Sequence, residues 1–154
     1  MTHLKVGDKA PYFKGINQNS EEISLSDFSG KKLILYFYPK DNTPGCTAES
    51  CNLNDNYNAW LEKGFEVVGV SPDSVQSHVK FAEKFNLQFS LIADAEKEIL
   101  QAYGAWGEKS MYGRKYMGVL RTTFVIDENG VIAEIFKKVK TKDHTNQIVK
   151  ALNI

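Results

Sequence analysis

Residues 32–38, KLILYFY, form an apolar, aromatic-rich run that stops at Pro39. A strand apolar on both sides needs cover on both faces, so this run reads as a fully buried central strand. A second such strand, FEVVGVS, follows at 65–71. A helical pattern lies between them over 44–63, with Leu53, Tyr57, Trp60 and Leu61 at helical spacing and Gly64 as its end. Residues 74–85 repeat the helical pattern through Val75, Val79, Phe81, Ala82 and Phe85, and FSLIAD, 89–94, reads as a short strand. Residues 95–103 read as a helix with Gly104 past its end.

Around this β-α-β-α centre, residues 12–25 read as a hairpin turning through NQNSEE, and LSDFSG as a helical turn stopped by Gly30. Residues 105–118 read as an irregular glycine-rich segment. RTTFVID-ENG-VIAEIFK reads as a hairpin turning at Asn129-Gly130, and residues 143–154 as a helix capped by Asp143 or Thr145. The expected fold is an α/β sandwich with a mixed sheet, in one domain spanning 1–154. Function in such sheets gathers at the carboxyl ends of the central strands, where the loop after Tyr38 lies.

Nineteen basic residues balance nineteen acidic ones, which argues against a nucleic-acid or polyanion binder. The N-terminus carries no apolar signal core, and LILYFY is too short for a membrane span. The expected compartment is the cytoplasm, where the two cysteines rest reduced and suggest chemistry more than architecture.

Both cysteines fall in YPKDNTPGCTAESC, 38–51. Thr43 suits a helix N-cap, Pro44 the first helical position, Gly45 the second and Cys46 the third. A capping-box carboxylate commonly sits there, so unclaimed N–H groups and the helix dipole favour thiolate over thiol. The alternative is a small buried apolar side chain. Cys51 lies about 140° round the axis and ~7.5 Å along it, a Cα separation of roughly 8.6 Å, beyond the ~7 Å reach of a disulfide. A bond between the two requires the helix start to unwind; otherwise Cys51 is a spectator. Two cysteines with no neighbouring histidine do not make a zinc site. His3, His78 and His144 read as solvated. Arg121, one of two arginines, opens RTTFVID and can reach the same sheet edge, or is a surface residue.

Pro39-Lys-Asp-Asn-Thr43-Pro-Gly-Cys46 resembles the peroxiredoxin active-site pattern Pro-x-x-x-Thr/Ser-x-x-Cys. With VGVSPD and WGEKSMYGRKYMGVLRTTFVID, the chain resembles the Q-type, bacterioferritin-comigratory-protein-like branch along essentially its whole length. The resemblance implies a thioredoxin-like fold with an added N-terminal hairpin and a thiol peroxidase needing no cofactor. It implies that Cys46 attacks the peroxide and that Thr43 and the Cys46 N–H hold the peroxide oxygens. Arg121 would stabilise the thiolate, Glu49 orient Arg121, Pro39 shield the site and Cys51 resolve through a Cys46–Cys51 disulfide. Hydroperoxides are the implied substrates, thioredoxin or a similar dithiol the reductant, and a monomer or weak homodimer the assembly. Tyr38, Trp106 and Met111 are apolar neighbours suited to organic peroxides, or ordinary packing. Two rivals are a thiol–disulfide oxidoreductase, disfavoured by four residues between the cysteines, and a redox-linked chaperone.

Overall fold

A computed structural model describes residues 2–154. Strand β3 (Lys32–Phe37) lies inside a seven-stranded mixed sheet. It pairs in parallel with β4 (Phe65–Ser71) and antiparallel with β8 (Thr122–Ile126). Next to β4 lies β5 (Ser90–Ala93), parallel to it; β9 (Ile132–Phe136) closes the other edge against β8. The N-terminal hairpin, β1 (Lys14–Ile16) and β2 (Glu22–Ser24), extends the sheet antiparallel beyond β5. The order is β2-β1-β5-β4-β3-β8-β9.

Alternation along β3 builds two cores. Leu33, Leu35 and Phe37 face Val68, Val70, Ile92, Leu100, Tyr103 and Phe124. Ile34, Tyr36 and Tyr38 face Leu53, Trp60, Phe81, Ile148 and Cys46. All six β3–loop side chains from Leu33 to Tyr38 are fully buried, each contributing roughly 1.5–3 kcal/mol of apolar burial. The second core is roofed by α1 (Pro44–Asp55), α2 (Tyr57–Glu62), α3 (Val75–Phe85) and α5 (His144–Leu152). Among the described residues, no helix is long and apolar enough to cross a membrane.

Three elements differ from the sequence expectation. The helix expected over 44–63 is two, broken at Asn56, whose side-chain amide donates to the Asn52 carbonyl at 2.8 Å and so interrupts the backbone ladder. The helix expected over 95–103 shrinks to α4 (Glu98–Ala102), because Lys97 is left-handed and Asp94 caps Ile99 and Leu100 from outside the helix. The segment expected to be irregular is a regular hairpin, β6 (Trp106–Met111) with β7 (Arg114–Val119). Tyr112 and Gly113 both have positive φ, the geometry of a two-residue hairpin turn. Its side chains are mostly exposed on both faces, so no apolar alternation marks it in the sequence.

Candidate active site

The chain leaves β3 through Tyr38 and the half-exposed Pro39, then bends at the left-handed Asn42 into α1. Thr43 holds the N-cap position with extended backbone, and Pro44 is the first helical residue. The Thr43 hydroxyl does not cap the helix as its position suggests; it donates to the Lys40 carbonyl at 2.8 Å. The first-turn N–H groups therefore receive no side-chain oxygen from Thr43. Cys46, third in the helix, is 1% exposed, with its sulfur turned toward the core and the sheet edge.

Arg121 arrives from the chain just before β8. Its Nη2 donates to Cys46 Sγ at 3.2 Å, and its Nη1 donates to Glu49 Oε1 at 2.7 Å. Glu49 lies one helical turn beyond Cys46, so one guanidinium spans two successive rungs of α1. Gly45 makes room for it: a Cβ there would stand 3.3 Å from Arg121 Nη2. Burial acts against the Arg121 charge, but Glu49 and Cys46 beside it outweigh burial and hold the guanidinium ionised. Glu49 is fully buried, and that burial pushes its carboxyl up to about 7 despite the opposing pull of Arg121. A desolvated carboxyl next to a thiol and a cation is the kind of perturbed group that gathers at reactive sites.

Cys51 sits in the same unbroken helix with no such company. It is half-buried, and burial followed by the nearby Asp55 charge pushes its thiol up. Both cysteines are free, as the geometry of a continuous helix requires.

The solvated reading of the histidines holds only for His3, which is exposed. His78 and His144 are both fully buried. His78 shares the α3 face of Phe81, Ala82 and Phe85, a spacing visible in the sequence. Its Nε2 donates to the Ile92 carbonyl and its Nδ1 lies 2.6 Å from Asp41 Oδ2. Asp41 also accepts from Tyr38 and Ser77, which ties the loop before α1 to the helix α3. Asp41, Asp73 and His78 are the described residues that bring metal-ligand atoms together, but hydrogen bonds to Tyr38, Ser71, Ser77 and the Asp41 N–H already engage those atoms. Of the apolar neighbours, Tyr38 is sealed in the second core and Met111 stands exposed on the β6–β7 hairpin.

His144 occupies the α5 face of Ile148 and Leu152, and its Nε2 is 3.7 Å from Glu49 Oε2. Asn52, beside Cys51, accepts from the Thr145 N–H at 2.7 Å, so the start of α5 is capped by α1 rather than by Asp143 or Thr145. Neither His144 nor Asn52 carried a chemical motif in the sequence; only the i, i+4 spacing of His144 with Ile148 hinted at burial.

The AhpC/TSA family matches residues 6–135. Peroxiredoxin Bcp of Bacillus subtilis is 42% identical over 149 residues, covering 97% of this chain and 95% of the relative. Among solved structures, a cysteine-to-serine variant of PrxQ from Xylella fastidiosa matches with a TM-score of 0.92 at 32% identity, covering 99% of this chain and 98% of the other. The bacterioferritin comigratory protein of Xanthomonas campestris matches at 0.86 and 30% identity, covering 99% and 98%; that structure concerns its alkyl peroxide reduction activity. The mixed sheet with its flanking helices is thus the thioredoxin-like fold of the peroxiredoxins, and agreement over nearly the full length of each partner places this chain in the AhpC/TSA family, in the peroxiredoxin Bcp/PrxQ branch.

Proposed function

We propose that residues 1–154 act as one peroxiredoxin domain, a thiol peroxidase that reduces hydrogen peroxide and organic hydroperoxides. The observation that carries this is the Arg121 guanidinium donating to Cys46 Sγ while anchored on Glu49. The Cys46 thiolate attacks the terminal oxygen of ROOH in line with the O–O bond. The sulfur–oxygen bond forms, the O–O bond breaks, and one proton from solvent leaves the products as Cys46 sulfenic acid and ROH. Because the single Thr43 proton is held by Lys40, the Thr43 oxygen faces the peroxide as an acceptor of its O–H. The Cys46 N–H and Arg121 supply the donors, fixed in place before charge moves to the departing oxygen. Gly45 lets the guanidinium approach, Glu49 aims it, and Pro39 shields the loop.

Helix α1 then unwinds at its start, and the Cys51 thiol displaces the sulfenic hydroxyl to give the Cys46–Cys51 disulfide and water. A dithiol, thioredoxin in this reading, takes the disulfide by exchange and restores both thiols. The compartment is the cytoplasm and the working unit a monomer or weak homodimer. The activity of the Xanthomonas relative toward alkyl peroxides supports organic substrates here. The test is peroxide consumption with a thioredoxin system: the wild type turns over and Cys46→Ser falls to background. Turnover by Cys46→Ser at the wild-type rate removes the proposal.

A further inference from the structure

Behind Arg121 lies a polar cluster sealed from solvent. Glu49, Thr123 and His144 are each fully buried. The His144 tautomer follows from its neighbours. The Gln147 Oε1 accepts the Lys140 N–H at 2.9 Å, and the Gln147 amide donates to the Lys138 carbonyl at 2.8 Å. The oxygen of Gln147 therefore faces His144 Nδ1 at 2.9 Å, so Nδ1 carries a proton. In neutral His144 this leaves Nε2 as an acceptor for the Thr123 hydroxyl at 2.8 Å. Among the described residues, Glu49 Oε2, 3.7 Å from the same Nε2, then has no hydrogen-bond partner.

Three lone-pair atoms, Glu49 Oε2, Thr123 Oγ1 and His144 Nε2, thus converge on one proton, that of the hydroxyl. A buried carboxylate oxygen left unpaired is costly, about 1–3 kcal/mol or more. One further proton satisfies all three atoms. We propose that Glu49, Thr123 and His144 hold this second proton as a unit, and that His144 is a positioning residue of the peroxidase reaction that governs how much of the Arg121 charge is left for Cys46. With the proton in place, Glu49 is neutral but still accepts from Arg121 through Oε1, and the guanidinium acts undivided on the sulfur. With the proton lost, an anion on its other side draws part of that field away. The remaining charged or titratable groups facing the cluster are Arg121, Cys46 and, from β3, Tyr36; Phe136 presents only a ring to His144. Burial favours the neutral form of both partners, raising Glu49 to about 7 and lowering His144 to about 4, which puts the proton on the carboxyl.

The inference rests on the peroxidase reading for its consequence but not for its test. Difference infrared spectra of the wild-type chain should show a protonated buried carboxyl that vanishes as pH rises through about 7 and is missing in Glu49→Gln. His144→Asn can donate to Oε2, and His144→Leu frees the Thr123 hydroxyl to do the same, so both stabilise the anion and move this transition down by about one pH unit; Thr123→Val removes that hydroxyl proton, leaves Nε2 to accept the carboxyl proton and moves the transition up by a similar amount. At neutral pH, sulfenic acid formation should then slow two- to threefold (on the order of 0.5 kcal/mol) in both His144 variants and hold or rise in Thr123→Val. A wild type without the carboxyl band overturns the proposal, with or without peroxidase activity. So does a Thr123→Val variant whose band and rate shift the same way as those of His144→Asn, as a merely structural cluster would give.

Discussion

Cys46 and Cys51 share one helix, five residues apart, yet the fold gives them opposite surroundings. Cys46 is sealed on the core side of α1, with a guanidinium on its sulfur and the helix N-terminus beneath it. Cys51 is half-exposed on another face, with its thiol pushed up by burial and by Asp55. Under the proposed mechanism the same side chain acts as attacker in one place and as reserve thiol in the other, and the distinction comes from which face of the helix meets the sheet edge. An ionised sulfur at Cys51 would compete for the peroxide, whereas a protonated one waits for the sulfenic acid.

Removing the reserve thiol should break the comparison most visibly. Cys51→Ser is expected to complete a single turnover and then stall with thioredoxin as donor, measured as burst and steady state in a peroxide assay. Normal steady-state turnover would make Cys51 a spectator. Arg121→Ala comes next. A charge-assisted hydrogen bond contributes about 1.5–3 kcal/mol, so sulfenic acid formation should fall roughly ten- to hundredfold by stopped flow; an unchanged rate takes Arg121 out of the mechanism. Asp55→Asn works on the other cysteine. Relieved of that exposed charge, the Cys51 thiol ionises more readily and disulfide formation should quicken about two- to threefold. A slower disulfide step in that variant would contradict the assigned influence of Asp55.

The smallest effect reads the charge behind Cys46 alone. Glu49 is raised from 4.5 to about 7 by burial, so its contribution to stability is complete below 4.5 and is lost as pH rises through 7. His144 is lowered from 6.5 to about 4, so its contribution grows as pH rises from 4 to 6.5. Between about 4.5 and 6.5 the two slopes offset: folding moves one proton from imidazole to carboxyl without changing the total. Urea midpoints should therefore tilt downward with pH in His144→Leu and upward in Glu49→Gln relative to wild type. Parallel curves for all three would show that the pair does not exchange a proton on folding.

The contrast between the cysteines was partly legible in the sequence. Spacing gave the helix start at Thr43 and Pro44, though not the loss of the hydroxyl cap to Lys40, together with the position of Cys46 in the first turn and the impossibility of a bond across an intact coil. The continuous apolar strands gave the mixed sheet, because residues buried on both faces leave an unmistakable run. The β6–β7 hairpin escaped, since strands wet on both sides carry no alternation. The buried histidines escaped for a different reason. His78 and His144 are polar residues on apolar helix faces, and only their partners, Asp41 in one case and Thr123 with Gln147 in the other, make that burial tolerable. Asp41 and Thr123 lie 37 and 21 residues away in the chain, and pairing at that distance has no local period; Gln147 lies one turn on, where a polar neighbour is as common on a solvated face.

The cap that Asn52 provides to α5 has a consequence at the far end of the polypeptide. Unwinding that joins the two sulfurs and runs on through Asn52, the residue after Cys51, takes the acceptor from the Thr145 amide and the donor from the Lys142 carbonyl. Oxidation at one end of the sheet would thus loosen the last helix, making the tail of the protein a messenger of its redox history. Amide exchange at Thr145 should accelerate in the disulfide form, and equal protection in both forms would show that the message is not sent.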